Sequence, residues 1–96
     1  MTDDTTISTT LPQREIGTSG IRSSLFSLGS WHTYDRMDFG DATAMLREAV
    51  DRGVNLFDVG VYTGPGMPPA FTDVIFSAMV RAAGLRRDDW LLSSKL

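Results

Sequence analysis

The chain has 96 residues, 42% of them hydrophobic and 22% charged, with a net charge of −3, a profile that suits one small soluble domain. Nine basic residues against twelve acidic ones leave no footprint for nucleic acid, and Arg86-Arg87 is followed at once by Asp88-Asp89, a solvated cluster. The absence of cysteine excludes disulfides and thiolate metal sites, and the single histidine, His32, cannot hold a metal alone.

The first ten residues are rich in Thr and Asp and have no apolar core, unlike a secretory signal. A polar tail is expected over residues 1–13 and a folded unit over 14–96. No apolar run approaches the ~20 residues of a membrane span, so a cytoplasmic protein without membrane partners is expected. Arg14-Glu15-Ile16 and Ile21-Arg22-Ser23 flank Gly17-Thr18-Ser19-Gly20, the pattern of a β-hairpin around a glycine turn. Leu25 to Gly29 reads as a short strand ending at Gly29-Ser30-Trp31.

A helix then opens at Asp38 or Asp41. Its apolar face is Ala42, Met45, Leu46, Ala49 and Val50, at helical spacing, and Gly53 stands where a left-handed C′ residue is wanted. Val54 to Asp58 reads as a buried strand. Residues 61–70 hold three prolines and two glycines and are expected to form an irregular loop. A second helix is expected with Thr72 as N-cap and an apolar stripe of Phe71, Val74, Ile75, Ala78, Met79 and Ala82, stopped by Gly84. The strand Trp90 to Lys95 closes the pattern.

Strand, helix, strand, helix, strand with short connections is a repeated βαβ unit. Its right-handed crossovers put both helices on one side of a parallel sheet. A barrel or half of a doubly wound sheet would satisfy this. The opening hairpin and the lack of a glycine-rich phosphate turn after the first strand favour the barrel. The expected fold is α/β: the N-terminal part of a (β/α)₈ TIM barrel, an opening hairpin plus βαβαβ, truncated after the third barrel strand. Such barrels need ~250 residues, so the isolated chain is expected to be inactive and to self-associate through uncovered strand edges.

The chemistry sits at strand ends. Period-two alternation puts Val54, Leu56 and Asp58 on one face, and Leu91, Ser93 and Lys95, the single lysine, on one face of theirs. An acid and an amine at neighbouring strand ends would meet at the barrel mouth. The plainer reading is a buried salt bridge. The functional reading adds Tyr62: a phenol, with an ordinary pKa near 10, becomes a usable acid beside an ammonium. Such a set protonates a carbonyl oxygen as hydride reaches carbon. The plainer reading of Tyr62 is an aromatic packed on the rim. Trp31 either walls a ligand pocket or plugs the barrel top.

Three stretches resemble the aldo-keto reductase family. REIGTSGIRSSLFSLGSW is similar to its hairpin and first barrel strand, LREAVDRGVNLFD to its first helix and aspartate strand, and RRDDWLLSSKL to its lysine strand. The likeness covers residues 14–96 and is nearest to the branch of potassium-channel β-subunits. The resemblance implies NADPH (NADP) as cofactor, a small-molecule aldehyde or ketone as substrate, and hydride transfer between them. It implies catalytic roles for Asp58, Tyr62 and Lys95, and places Gly29, Ser30, Trp31 and Asp58 beside the cofactor. The family pattern Phe-Asp-Thr-Ala-x-x-Tyr stands here as Phe57-Asp58-Val59-Gly60-Val61-Tyr62, one residue short. That departure, with the channel-subunit likeness, keeps a second reading open: a barrel that binds cofactor and acts as a regulatory subunit. A non-functional truncated product is the third.

Overall fold

Three parallel strands carry the fold. The computed structural model describes residues 11–30 and 33–94. Its elements are β1 (Gln13–Glu15), β2 (Arg22–Ser24), β3 (Leu28–Gly29), α1 (Phe39–Asp51), β4 (Leu56–Val59), β5 (Val61–Gly64), β6 (Met67–Phe71), α2 (Thr72–Ala83) and β7 (Leu91–Ser94). Strands β3, β4 and β7 form a parallel sheet in that order, and β1–β2 and β5–β6 are separate antiparallel ribbons. Together they make the mixed α/β arrangement, with parallel strands and two helices, that the sequence pattern requires.

The helices begin and end where their chemistry allows. Asp38 caps α1, its Oδ2 accepting from Asp41 N at 3.1 Å, which satisfies one of the four free N–H groups of the first turn. Gly53 follows with φ 97°, and Gly84 ends α2 at φ 71°, both in the left-handed region that glycine enters without a Cβ penalty. The Arg47 guanidinium of α1 donates to the Ala83 carbonyl, so one helix supplies the missing partner at the other's C-terminus.

Both helices pack on one side of the sheet. Ala42 and Leu46 of α1, Phe57 and Val59 of β4, and Phe76, Met79, Val80 and Ala83 of α2 share a single core with Tyr34. Phe76 is its centre, with ring centroids 5.4 Å from Phe57, 6.2 Å from Tyr34 and 5.3 Å edge-on from Trp90. The hairpin β1–β2 docks at the opposite end of the sheet from the strand C-termini. Asn55, just before β4, accepts from Ser24 N at 2.7 Å and donates to Arg22 O at 2.9 Å.

Several expectations need correction. Residues 11–13 are not tail: Leu11 N donates to Arg52 O at 2.7 Å, and Gln13 opens β1 and donates through Nε2 to Gly53 O. The strand expected over 25–29 pairs only at Leu28–Gly29, leaving Leu25 and Phe26 exposed. The segment 61–70 is an ordered ribbon, β5–β6. Pro65 and Gly66, the latter at φ 72°, make its corner, proline presetting the first angle and glycine supplying the positive one. Pro68 and Pro69 fall where the ladder skips between Tyr62 and Gly64, so their missing N–H groups break no required bond. Thr72 is not the N-cap of α2; Phe71 holds that position without a side-chain bond, and Thr72 is the first helical residue. The buried face of α2 is Thr72, Phe76, Met79, Val80 and Ala83, about one residue round from the expected stripe, and Phe71 and Val74 face outward.

Candidate functional site

The strand register brings two of the sequence-selected residues together. Gly29 of β3 pairs with Asp58 of β4, which pairs with Ser93 of β7. The three lie in one row across the sheet, near the carboxyl ends of its strands. In parallel sheets, crossovers leave that end open, and ligands bind there. Phe57 and Val59 are buried against the helices, so alternation turns Asp58 to the other face. Asp58 Oδ1 is buried and accepts no hydrogen bond among the described residues. A buried carboxylate oxygen without a donor is rare and needs a reason. A Cβ built at Gly29 would meet nothing within 4 Å among the described residues, so these leave space beside the acid. The assignments of Trp31, His32 and Lys95 lie outside the described residues.

Tyr62 stands on β5, immediately past the end of β4. Gly60 is the joint, and Thr72 holds it from both sides. Gly60 N donates to Thr72 Oγ1 at 3.0 Å, Thr72 Oγ1 donates to Gly60 O at 2.7 Å, and Thr72 N donates to Gly60 O at 3.1 Å. The Thr72 hydroxyl is also 2.8 Å from Ser30 Oγ, and Ser30 Oγ is in turn 3.3 Å from Tyr62 Oη. Ser30 and Thr72 are both fully buried. The hydroxyl of Ser30 is thus turned inward to Thr72 and Tyr62.

Tyr62 also lines a cleft of about 710 Å³ between the ribbon β5–β6, the start of α2 and the turn at Tyr34–Arg36. Met67, Phe71, Val74 and Ile75 make its apolar wall, and Asp35 and Arg36 also line it. That volume suits a small organic ligand. Asp58 is not among the cleft residues; Tyr62 lines the cleft and also meets Ser30, the residue after Gly29.

Tyr34 belongs to this site and nothing in the sequence pattern singled it out. It is 2% exposed, stacks on Phe76, and its hydroxyl has no partner among the described residues. Burial first, then the Asp58 carboxylate and then Tyr62, push its phenol far above the ordinary value of 10.0. The only available signal was a lone aromatic in the polar run Thr33-Tyr34-Asp35-Arg36, too weak to separate a core residue from a surface one. A phenol with a raised folded pKa contributes no pH-linked loss below pH ~10, and stability falls as the unfolded phenol ionises above it. The parent is therefore expected to lose ~1.4 kcal/mol per pH unit above pH ~10 relative to Tyr34→Phe. At pH 7 the variant should match or exceed the parent, since it removes a buried, unpartnered hydroxyl. Urea titrations of both proteins between pH 7 and 11 measure the difference; parallel pH profiles would show that Tyr34 is not held neutral by the fold.

No protein-family model matches the chain. Curated relatives do match it over most of its length. A probable voltage-gated potassium channel subunit beta from Oryza sativa subsp. japonica is 34% identical over 84 residues, 86% of this chain and 24% of the relative. A putative voltage-gated potassium channel subunit beta from Schizosaccharomyces pombe is 28% identical over 88 residues, 90% of this chain and 24% of the relative. The L-glyceraldehyde 3-phosphate reductase of Escherichia coli K12 is 33% identical over 84 residues, 85% of this chain and 24% of the relative. The chain thus spans about a quarter of the length of these relatives. These relatives are aldo-keto reductases, the family that the three sequence stretches resemble, and the chain is similar to them over 85–90% of its own length.

Proposed function

We propose that these residues form the opening part of a (β/α)₈ barrel that reduces an aldehyde or ketone with NADPH. The observation that carries this reading is the in-register row of Gly29, Asp58 and Ser93 at the carboxyl ends of three parallel strands, with Tyr62 directly beyond it. The Asp58 Oδ1, without a partner among the described residues, and the space that these residues leave at Gly29 suit a face that takes a cofactor and a lysine. NADPH, when bound, supplies the hydride. By the resemblance, Lys95 is the amine that lowers the Tyr62 pKa and Asp58 is its counter-ion. Tyr62 gives its phenolic proton to the carbonyl oxygen, so the product is an alcohol. Gly29 borders the nicotinamide side, a cofactor role for the neighbouring Ser30 and Trp31 resting on the family resemblance alone, while the apolar wall of the cleft takes the body of the carbonyl compound.

The test is oxidation of NADPH at 340 nm with 4-nitrobenzaldehyde, using a protein of full family length that carries these residues. Turnover that Tyr62→Phe abolishes is the expected result; turnover that survives Tyr62→Phe would remove the tyrosine from the reaction. The short Asp58–Tyr62 spacing and the two relatives named as channel β-subunits favour a second reading, a cofactor-binding regulatory barrel. Saturable NADPH binding without turnover of any aldehyde would select it.

A further inference from the structure

Three buried hydroxyl contacts make a continuous path from Tyr62 to the backbone of Gly60. Each hydroxyl has one hydrogen to give. Ser30 donates to Tyr62 Oη at 3.3 Å. Its one hydrogen is then spent, so the 2.8 Å contact between Ser30 and Thr72 takes its hydrogen from Thr72. Turning the Thr72 hydrogen away from Gly60 O would ordinarily leave a buried acceptor bare, at a cost of about 1–3 kcal/mol. Here it does not, because Gly60 O still accepts from Thr72 N at 3.1 Å, and Thr72 Oγ1 still accepts from Gly60 N at 3.0 Å.

We infer that Ser30 and Thr72 are positioning residues for Tyr62, a two-hydroxyl relay that donates toward the Tyr62 oxygen and leaves the phenol's own hydrogen for the carbonyl. The inference rests on Tyr62 as the proton donor of the proposed reaction. In the donor state the relay fixes the Tyr62 ring at the joint between β4 and the cleft. The phenolic proton passes to the carbonyl oxygen, and the Ser30 hydrogen, already on the Tyr62 oxygen, stays on the phenolate that results. Hydrogen bonds to an ionised acceptor are about twice as strong as neutral ones, so the relay favours the state that follows proton transfer.

Ser30→Ala, Thr72→Val and Thr72→Ser test this. The chain has two tyrosines, so the ¹³Cζ resonance of Tyr62, which reports hydrogen bonding at its oxygen, is assignable with Tyr34→Phe as reference. Ser30→Ala and Thr72→Val are expected to move the Tyr62 resonance and to leave that of Tyr34 in place, whereas Thr72→Ser keeps the parental position. In the full-length reductase, Ser30→Ala should lower kcat about tenfold, the effect of one lost hydrogen bond in the transition state, with KM for the aldehyde unchanged. Should Thr72→Val fail to fold, Ser30→Ala against Thr72→Ser carries the comparison, since both make only a small cut in a buried side chain. A Tyr62 resonance identical in the parent and Ser30→Ala would overturn the relay. Reduction that survives Tyr62→Phe would instead overturn the proton-donor reading, and the resonance shifts would still stand.

Discussion

Phe76→Ala is expected to unfold the chain at 25 °C. The side chain is 3% exposed and touches three other aromatic rings at 5.3–6.2 Å. Truncating a buried phenylalanine costs about 3–5 kcal/mol, because the transfer energy is lost and a cavity remains. Each lost aromatic pair adds ~0.5–1.5 kcal/mol. Domains of this size have little more than ~5 kcal/mol to lose. Val74→Ala is the matched control: Val74 is 64% exposed, and its truncation should cost less than ~0.5 kcal/mol. Urea unfolding followed by tryptophan fluorescence reads both. The reverse order, with Val74 costly and Phe76 cheap, would mean that α2 presents its sequence-expected face to the core.

That comparison also locates what the sequence could and could not disclose. The α1 cap at Asp38, the left-handed Gly53, the hairpin and the order of parallel strands were legible because each rests on local chemistry: a capping oxygen, a missing Cβ, an alternating run. The rotation of α2 was not. Its apolar residues number Val74, Ile75, Phe76, Ala78, Met79, Val80, Ala82 and Ala83, a stripe wider than one contact face, so helical spacing alone fits two orientations. The choice between them is made from outside the helix, by Thr72 bonding to Gly60 and Ser30. The same holds for the ribbon β5–β6. Proline content argued for a loop, but prolines break a strand only where an N–H is needed, and that depends on the partner's register. At the site, Asp58 and Tyr62 stood out as ionisable groups after an apolar run. Ser30, Thr72 and Tyr34 did not, since a serine, a threonine and a lone tyrosine acquire their roles only from what the fold sets beside them.

Asp58→Asn should separate the two readings of the acid at the strand end. If Asp58 and Lys95 form only a buried salt bridge, the amide leaves an ammonium uncompensated, and stability falls by about 3–5 kcal/mol. If Asp58 serves the reaction, turnover is lost whatever happens to stability. Turnover should fall by about 10²-fold or more, because a misoriented lysine no longer prepares Tyr62 for proton transfer. Measuring urea stability and aldehyde reduction on the same full-length variant gives both answers at once. A large loss of stability with turnover preserved would make Asp58 a structural anion and leave the row of Gly29, Asp58 and Ser93 without a chemical task.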